Sequence, residues 1–100
     1  MQYSADFKQA VFTEMAKVPK GKVVSYGQLA LYSGHPGAAR AVGQIAHFGP
    51  PDLPWHRLVH ASGKLANGYV PGGPARQRQL LCSEGIRFYN NNVIMRDYQV

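Results

Sequence analysis

The sequence predicts a mainly α domain with small β elements, a winged-helix-like fold that contains a helix-turn-helix. Three observations predict it. Phe7, Val11, Met15 and Val18 recur at helical spacing and form one apolar stripe. Two short helix signals then follow each other across a turn containing Gly34 and Pro36, the pattern of a helix-turn-helix. Further on, short extended runs alternate with Gly- and Asn-rich turns. With 100 residues, 45% of them hydrophobic, the chain is sized for a single domain with one core.

The first helix is expected from Asp6 to Lys17, with Asp6 as its cap and Gln9 three residues on. Pro19-Lys20-Gly21 ends it, and Lys22-Val23-Val24 is a short extended piece. Ser25 and Gln28 form a second capping-box pattern, opening a helix from Tyr26 to about Ser33, with Gly34 as its stop. Pro36 suits the first turn of a third helix running to about His47. Read at 100° per residue, that helix turns Ala38, Val42, Ile45 and Ala46 to the core. Gly37, Arg40, Gln44 and His47 fall on the other side, with Ala41 and Gly43 at its flanks.

The region from Phe48 to Pro54 is a Pro/Gly-rich loop. Leu58-Val59-His60 is a short strand, Ser62-Gly63 a turn and Lys64-Leu65 a return. A second irregular loop, Asn67 to Gly73, lacks the Gly-Lys-Ser/Thr that a P-loop requires. A fourth helix is expected from Pro74 to Glu84, with Leu80 and Leu81 apolar and Arg76 and Arg78 basic. Arg87-Phe88-Tyr89 and Val93-Ile94-Met95 then flank Asn90-Asn91-Asn92 as a small hairpin.

Eleven Lys and Arg oppose five Asp and Glu, a formal charge of +6. So basic a small domain favours a polyanionic partner, nucleic acid by default, although many small basic proteins are merely soluble. The charges stand singly beside small and polar residues, which suits a shaped surface better than a disordered tail. One cysteine makes no internal disulfide and fits a reducing cytoplasm. Neither CxxC nor HxxxH spacing occurs, so no structural metal is expected, and no cofactor. No apolar run approaches a membrane span, and the first residues lack a signal-peptide pattern. A cytoplasmic monomer is the expectation.

Pro54-Trp55-His56-Arg57 is the most telling stretch. A histidine beside a nucleophile can act as its base, and a carboxylate can orient the histidine. Trp55 occupies the nucleophile's place, and indole is a donor only. Glu84 closes a helix, where a carboxylate opposes the macrodipole by a few tenths of a kcal/mol. A partner such as His56 or Arg57 would explain it; a solvated surface Glu is the plain alternative. Cys82 has no local group to lower its pKa and reads as a small buried residue. His35, His47 and His60 show no partner in sequence. Arg40 is a lone cation on an Ala/Gly helix face, which suits entry into a nucleic-acid groove or the gap left by a flipped base. Packing of that face on another helix is the alternative. Tyr26, opening the preceding helix, can reach a phosphate, stack on a base, or pack in the core.

Gly21-Lys22-Val23-Val24-Ser25-Tyr26-Gly27-Gln28-Leu29-Ala30, Ala38-Ala39-Arg40-Ala41-Val42-Gly43, Pro54-Trp55-His56-Arg57 and Glu84-Gly85 carry a family resemblance. Together they resemble the C-terminal domain of O6-alkylguanine-DNA alkyltransferases. Those enzymes have Pro-Cys-His-Arg, whose Cys takes the alkyl group; Pro-Trp-His-Arg is similar to the alkyltransferase-like proteins. The resemblance implies a non-enzymatic protein that binds O6-alkylguanine in duplex DNA by base flipping and flags it for nucleotide excision repair. It implies DNA contacts by Tyr26, Ala39, Arg40, Ala41, Gly43 and Gln44 through the minor groove, with Arg40 as the finger that replaces the flipped base. It implies an alkylguanine pocket at Tyr26, Trp55, Leu58, Tyr69 and Gly72, with the Trp55 and Leu58 carbonyls accepting from the guanine amino group. Tyr69, Pro71, Gly72 and Gly73 resemble the loop that closes this pocket. His56 and Glu84 match the relay that activates the thiol, left here without a catalytic role, and Arg57 matches a structural arginine. Lys20, Lys22 and Arg76 are further basic residues suited to phosphate contacts. Two departures stand out: the family's hinge asparagine is absent, with His47 near its place, and Pro71 stands where Ser is usual in a slightly longer loop. A roomier pocket follows from the latter. Two rival readings are a residual alkyltransferase using Cys82 and a helix-turn-helix regulator reading the major groove.

Overall fold

The computed structural model describes residues 5–66, 68, 69 and 72–100. Five helices and four two-residue strands make up the described chain: α1 (Ala5–Ala16), β1 (Val24–Ser25), α2 (Tyr26–Tyr32), α3 (Ala39–His47), β2 (Leu58–Val59), α4 (Gly73–Ser83), β3 (Phe88–Tyr89), β4 (Asn92–Val93) and α5 (Met95–Tyr98). A 3-10 turn, Trp55–Arg57, leads directly into β2. The mainly helical, helix-turn-helix architecture with small strands is the one the sequence predicts.

The stripe of α1 is buried as its spacing requires, at Phe7, Val11 and Met15. Asp6 lies inside the first turn rather than ahead of it, because the helix already starts at Ala5. The capping box of α2 forms as read. Ser25 Oγ accepts from the Gln28 amide at 3.1 Å, and Gln28 Oε1 accepts from the Ser25 amide at 3.4 Å.

The third helix corrects the sequence reading. It starts at Ala39, not at Pro36, because Gly37 takes a φ of +89° that no helix accommodates. The turn between α2 and α3 is therefore longer, closed by the His35 amide on the Ala30 carbonyl at 3.0 Å. Ala41 is a second correction: it is buried with Val42, so its methyl faces the core and not a partner. Ala38 is buried as expected, while Ile45 and Ala46 are only partly covered.

Two apolar clusters flank the short sheet. Val24 and Leu58 join Phe7, Val11, Met15, Leu29 and Val42 in one; Val23 and Val59 join Leu65, Leu81, Ile86 and Val93 in the other. Alternation along a strand explains the division, since successive side chains point to opposite faces. β1 and β2 run parallel, with Val24 opposite Leu58 and Ser25 opposite Val59. This pairing is what brings the 55–57 turn beside the start of α2.

Lys64 returns toward β2 through a single bond, from the His60 amide to the Lys64 carbonyl at 3.0 Å. β3 and β4 form the expected hairpin, turned by Asn90 and Asn91 at φ of +50° and +66°, the conformation that two-residue hairpins require. Met95 belongs to α5 instead of the second strand. The tail then docks on Val23, just ahead of β1: the Val23 amide donates to Tyr98 O, and the Val100 amide to Val23 O, both at 2.9 Å.

Gly63 joins the turn after β2 to the β3–β4 hairpin. Its φ is +90°, its carbonyl accepts from the Val93 amide at 2.9 Å, and an added Cβ would overlap the Val93 backbone. Gly63→Ala should therefore lower stability by at least about 2 kcal/mol, seen as a fall in the urea midpoint at unchanged slope.

Candidate nucleic-acid interface

The site is assembled from α2, α3, the 55–58 segment and the loop before α4. Pro54 starts the 3-10 turn, and the Arg57 amide closes it on the Pro54 carbonyl at 3.0 Å. The Trp55 indole is fixed from several sides. Its Nε1–H donates to the Pro50 carbonyl at 2.8 Å, and its ring meets Phe12 edge-on with centroids 6.1 Å apart. Gly49 lies so close to the indole that a Cβ there would overlap it. The only donor of the indole is therefore spent on its own loop, and the ring offers a flat apolar surface.

Behind Trp55, Glu84 finds the partners its placement called for. Its carboxylate receives His56 Nε2 at 2.7 Å, Arg57 Nε at 3.0 Å, Arg57 Nη2 at 2.9 Å and the Gly21 amide at 3.2 Å. Arg57 also donates through Nη1 to the Val18 carbonyl at 2.9 Å. Only 8% of the Glu84 side chain is exposed. Burial alone would push its carboxyl upward, but the bonds from Arg57, His56 and Gly21 outweigh that and hold it at about 2. An ionised carboxylate only accepts, so His56 carries a proton on Nε2.

A cavity of about 850 Å³ opens in front of Trp55. Of the residues assigned to DNA contact or pocket, Tyr26, Ala39, Arg40, Gly43, Trp55, Leu58 and Tyr69 line it together. Arg40 projects from the first turn of α3 and is exposed. Tyr26 packs beneath α3, where its ring would lie 3.7 Å from a Cβ on Gly43, and it meets the His60 ring at 5.0 Å. Burial raises the pKa of the Tyr26 phenol. Burial also raises that of Tyr69, partly countered by Arg76. Among the described residues no Asp, Glu or Lys lines the cavity; Arg40 is its lone arginine, and aromatic, aliphatic and glycine residues make up most of the rest.

Several expectations are redrawn. Gln44 is exposed but outside the cavity lining. Gly72 is not in the lining either; it precedes α4 as its N-cap at φ +100°, and a Cβ would overlap Arg76. Pro71 falls outside the described residues. His47 does line the cavity, edge-on to Phe48 with centroids 4.8 Å apart. Cys82 is exposed, not buried, and faces a different surface beside Arg76, Arg78 and Gln79.

Sequence reading missed Gln77. It is fully buried in α4, one turn before Leu81, and its amide is spent entirely on backbone. Nε2 donates to the Leu58 carbonyl at 2.9 Å and the His56 carbonyl at 3.1 Å, and Oε1 accepts from the Ala66 amide at 3.0 Å. The signal was present: a polar residue four before Leu81 falls on the buried face of the helix. The His60–Tyr26 contact had no such signal, because only the parallel β1–β2 pairing creates it.

Residues 6–86 match the family profile described as 6-O-methylguanine DNA methyltransferase, DNA binding domain. Alkyltransferase-like protein 1 of Schizosaccharomyces pombe is 34% identical over 90 residues, spanning 88% of this chain and 83% of that protein. The DNA base-flipping protein of Escherichia coli is 39% identical over 90 residues, spanning 86% and 67%. The crystal structure of S. pombe Atl1 in complex with damaged DNA containing O6-carboxymethylguanine superposes with a TM-score of 0.86 at 29% identity, covering 99% of this chain and 98% of that one.

The Glu84 network makes an acid-stability prediction. A carboxyl near 2 when folded and 4.5 when free stabilises the fold above pH 4.5, and that contribution is lost as pH falls toward 2. It amounts to about 3 kcal/mol. Urea titrations across this window should show stability falling in the native protein. Glu84→Gln should be less stable at pH 7 and flatter between pH 4.5 and 2; an unchanged slope would contradict the assignment.

Proposed function

As the chain belongs to the family of the 6-O-methylguanine DNA methyltransferase DNA-binding domain, we propose that it binds O6-alkylguanine in duplex DNA, extrudes the base and holds it without transferring the alkyl group. The observation that carries this reading is the cavity itself. One apolar chamber joins Arg40 and Tyr26 of the helix-turn-helix to Trp55, at the position where the family resemblance implies a thiol. The damaged-DNA complex formed by the structurally similar Atl1 supports it.

The physical steps follow from the residues. Ala39 and Gly43 let α3 come close to the duplex in the minor groove, while exposed Lys20, Lys22 and Arg76 add a salt-dependent phosphate attraction. Extruding a base costs a few kcal/mol of stacking and pairing. Arg40 fills the gap in the stack, and the base gains contact with Tyr26, Tyr69 and the Trp55 ring. The cavity admits O6 groups larger than methyl. With indole at position 55 no bond to the alkyl carbon forms, and Cys82 lies on another surface. The complex is reversible and acts as a flag for nucleotide excision repair, the protein working as a cytoplasmic monomer.

Equilibrium binding to two duplexes that differ only in guanine or O6-methylguanine tests the reading. The alkylated duplex should bind at least about tenfold more tightly, since the weaker pairing of the lesion lowers the extrusion cost. Arg40→Ala should weaken lesion binding by at least about tenfold while leaving the melting temperature unchanged. Equal affinity for both duplexes would refute damage recognition, and an unaffected Arg40→Ala would refute the finger.

A further inference from the structure

Gln77 joins two stretches of the cavity lining that are far apart in sequence. Its Nε2 holds the carbonyls of His56 and Leu58, on the segment that carries Trp55. Its Oε1 holds the Ala66 amide, at the start of the loop that carries Gly68 and Tyr69. Leu58, Trp55, Ala66, Gly68 and Tyr69 all line the cavity. The amide is 0% exposed, so no water competes for these bonds. The loop is further tied to itself by the Tyr69 amide on the Ala66 carbonyl at 3.4 Å and by the Gly73 amide on the Tyr69 carbonyl at 2.9 Å. Tyr69 is thus positioned through Ala66, and Ala66 through Gln77.

We propose that Gln77 is a positioning residue for the extruded base, setting the spacing between the Trp55–Leu58 wall and the Tyr69 loop. The inference rests on the damage-recognition reading above. Gln77 itself is sealed behind the wall and touches no ligand; it acts through the backbone groups it holds. Both N–H groups and one lone pair of its amide are in use, a pattern that no apolar residue of the same length reproduces. The exposed basic residues that attract DNA irrespective of the lesion, Lys20, Lys22 and Arg76, take no hydrogen bond from the Gln77 amide, which is held entirely by backbone. Loss of the amide therefore acts on discrimination, not on general DNA affinity.

The test compares wild type, Gln77→Met and Gln77→Glu on duplexes with guanine or O6-methylguanine, with thermal unfolding by circular dichroism alongside. Gln77→Met keeps length and volume but leaves two carbonyls and the Ala66 amide without their partner. Its preference for the alkylated duplex should fall about tenfold, with affinity for the unmodified duplex within about twofold of wild type. Gln77→Glu keeps the acceptor for Ala66 and loses donors to the turn; it should also lose preference, and it carries the comparison if Gln77→Met does not fold. A purely structural role would lower the melting temperature and leave the ratio of the two affinities unchanged, and that result in a folded variant overturns the inference alone. A wild-type protein with no preference overturns the damage-recognition reading and this inference with it.

Discussion

The carboxylate of Glu84 receives His56, Arg57 and the Gly21 amide, and so joins three segments that the chain keeps far apart. Gly21 belongs to the connection into β1, His56 and Arg57 to the turn that carries Trp55, and Glu84 to the end of α4. Arg57 extends the tie to the Val18 carbonyl at the end of α1. The direction in which Trp55 faces depends on this junction, because the indole sits on the same three-residue turn. An acidic residue at a helix C-terminus is unfavourable by itself. Here the cost is small beside bonds to an arginine and a histidine in a nearly dry setting. The network ties the turn that carries Trp55 to the end of α1, the end of α4 and the connection into β1.

The rest of the site is a matter of shape. Small residues on α3 leave room for Tyr26 beneath the helix and for a close approach above it. Gly49 leaves room for the indole. What remains is a chamber with an aromatic wall, a lone arginine at its rim and no lining acid among the described residues. Such a chamber suits a flat, uncharged ring delivered from a polyanion.

Much of this is legible in the amino acids because it is local. The α1 stripe, the Ser25–Gln28 capping box and the Asn90–Asn91 turn are short-range consequences of side-chain chemistry. Glu84 was legible as an anomaly, a charge on the wrong end of a helix, even though its partners lie 27 and 28 residues away. The start of α3 is not legible, because Pro36 is a good first-turn residue while the positive φ of Gly37 is set by the tertiary turn. Ala41 stands at the flank of the exposed face in sequence, where only the packing of α3 decides that it is buried. The His60–Tyr26 contact depends on the parallel pairing of β1 and β2, the docking of the tail on a separate bridge between Val23 and Gln99, and the role of Gln77 on bonds to segments 11 to 21 residues away. Two-residue strands leave almost no pattern from which to foresee such a pairing.

The central claim, that an alkylated guanine enters this chamber and leaves it unchanged, can be read from Trp55 itself, the only tryptophan of the chain. The decisive measurement follows Trp55 emission during titration with an O6-methylguanine duplex, then takes the intact mass of the protein after displacement by competitor DNA. The account predicts a saturable change in emission with the lesion duplex, little with its guanine counterpart, and an unchanged protein mass. The same emission response to both duplexes, or a protein heavier by a methyl group, would contradict it.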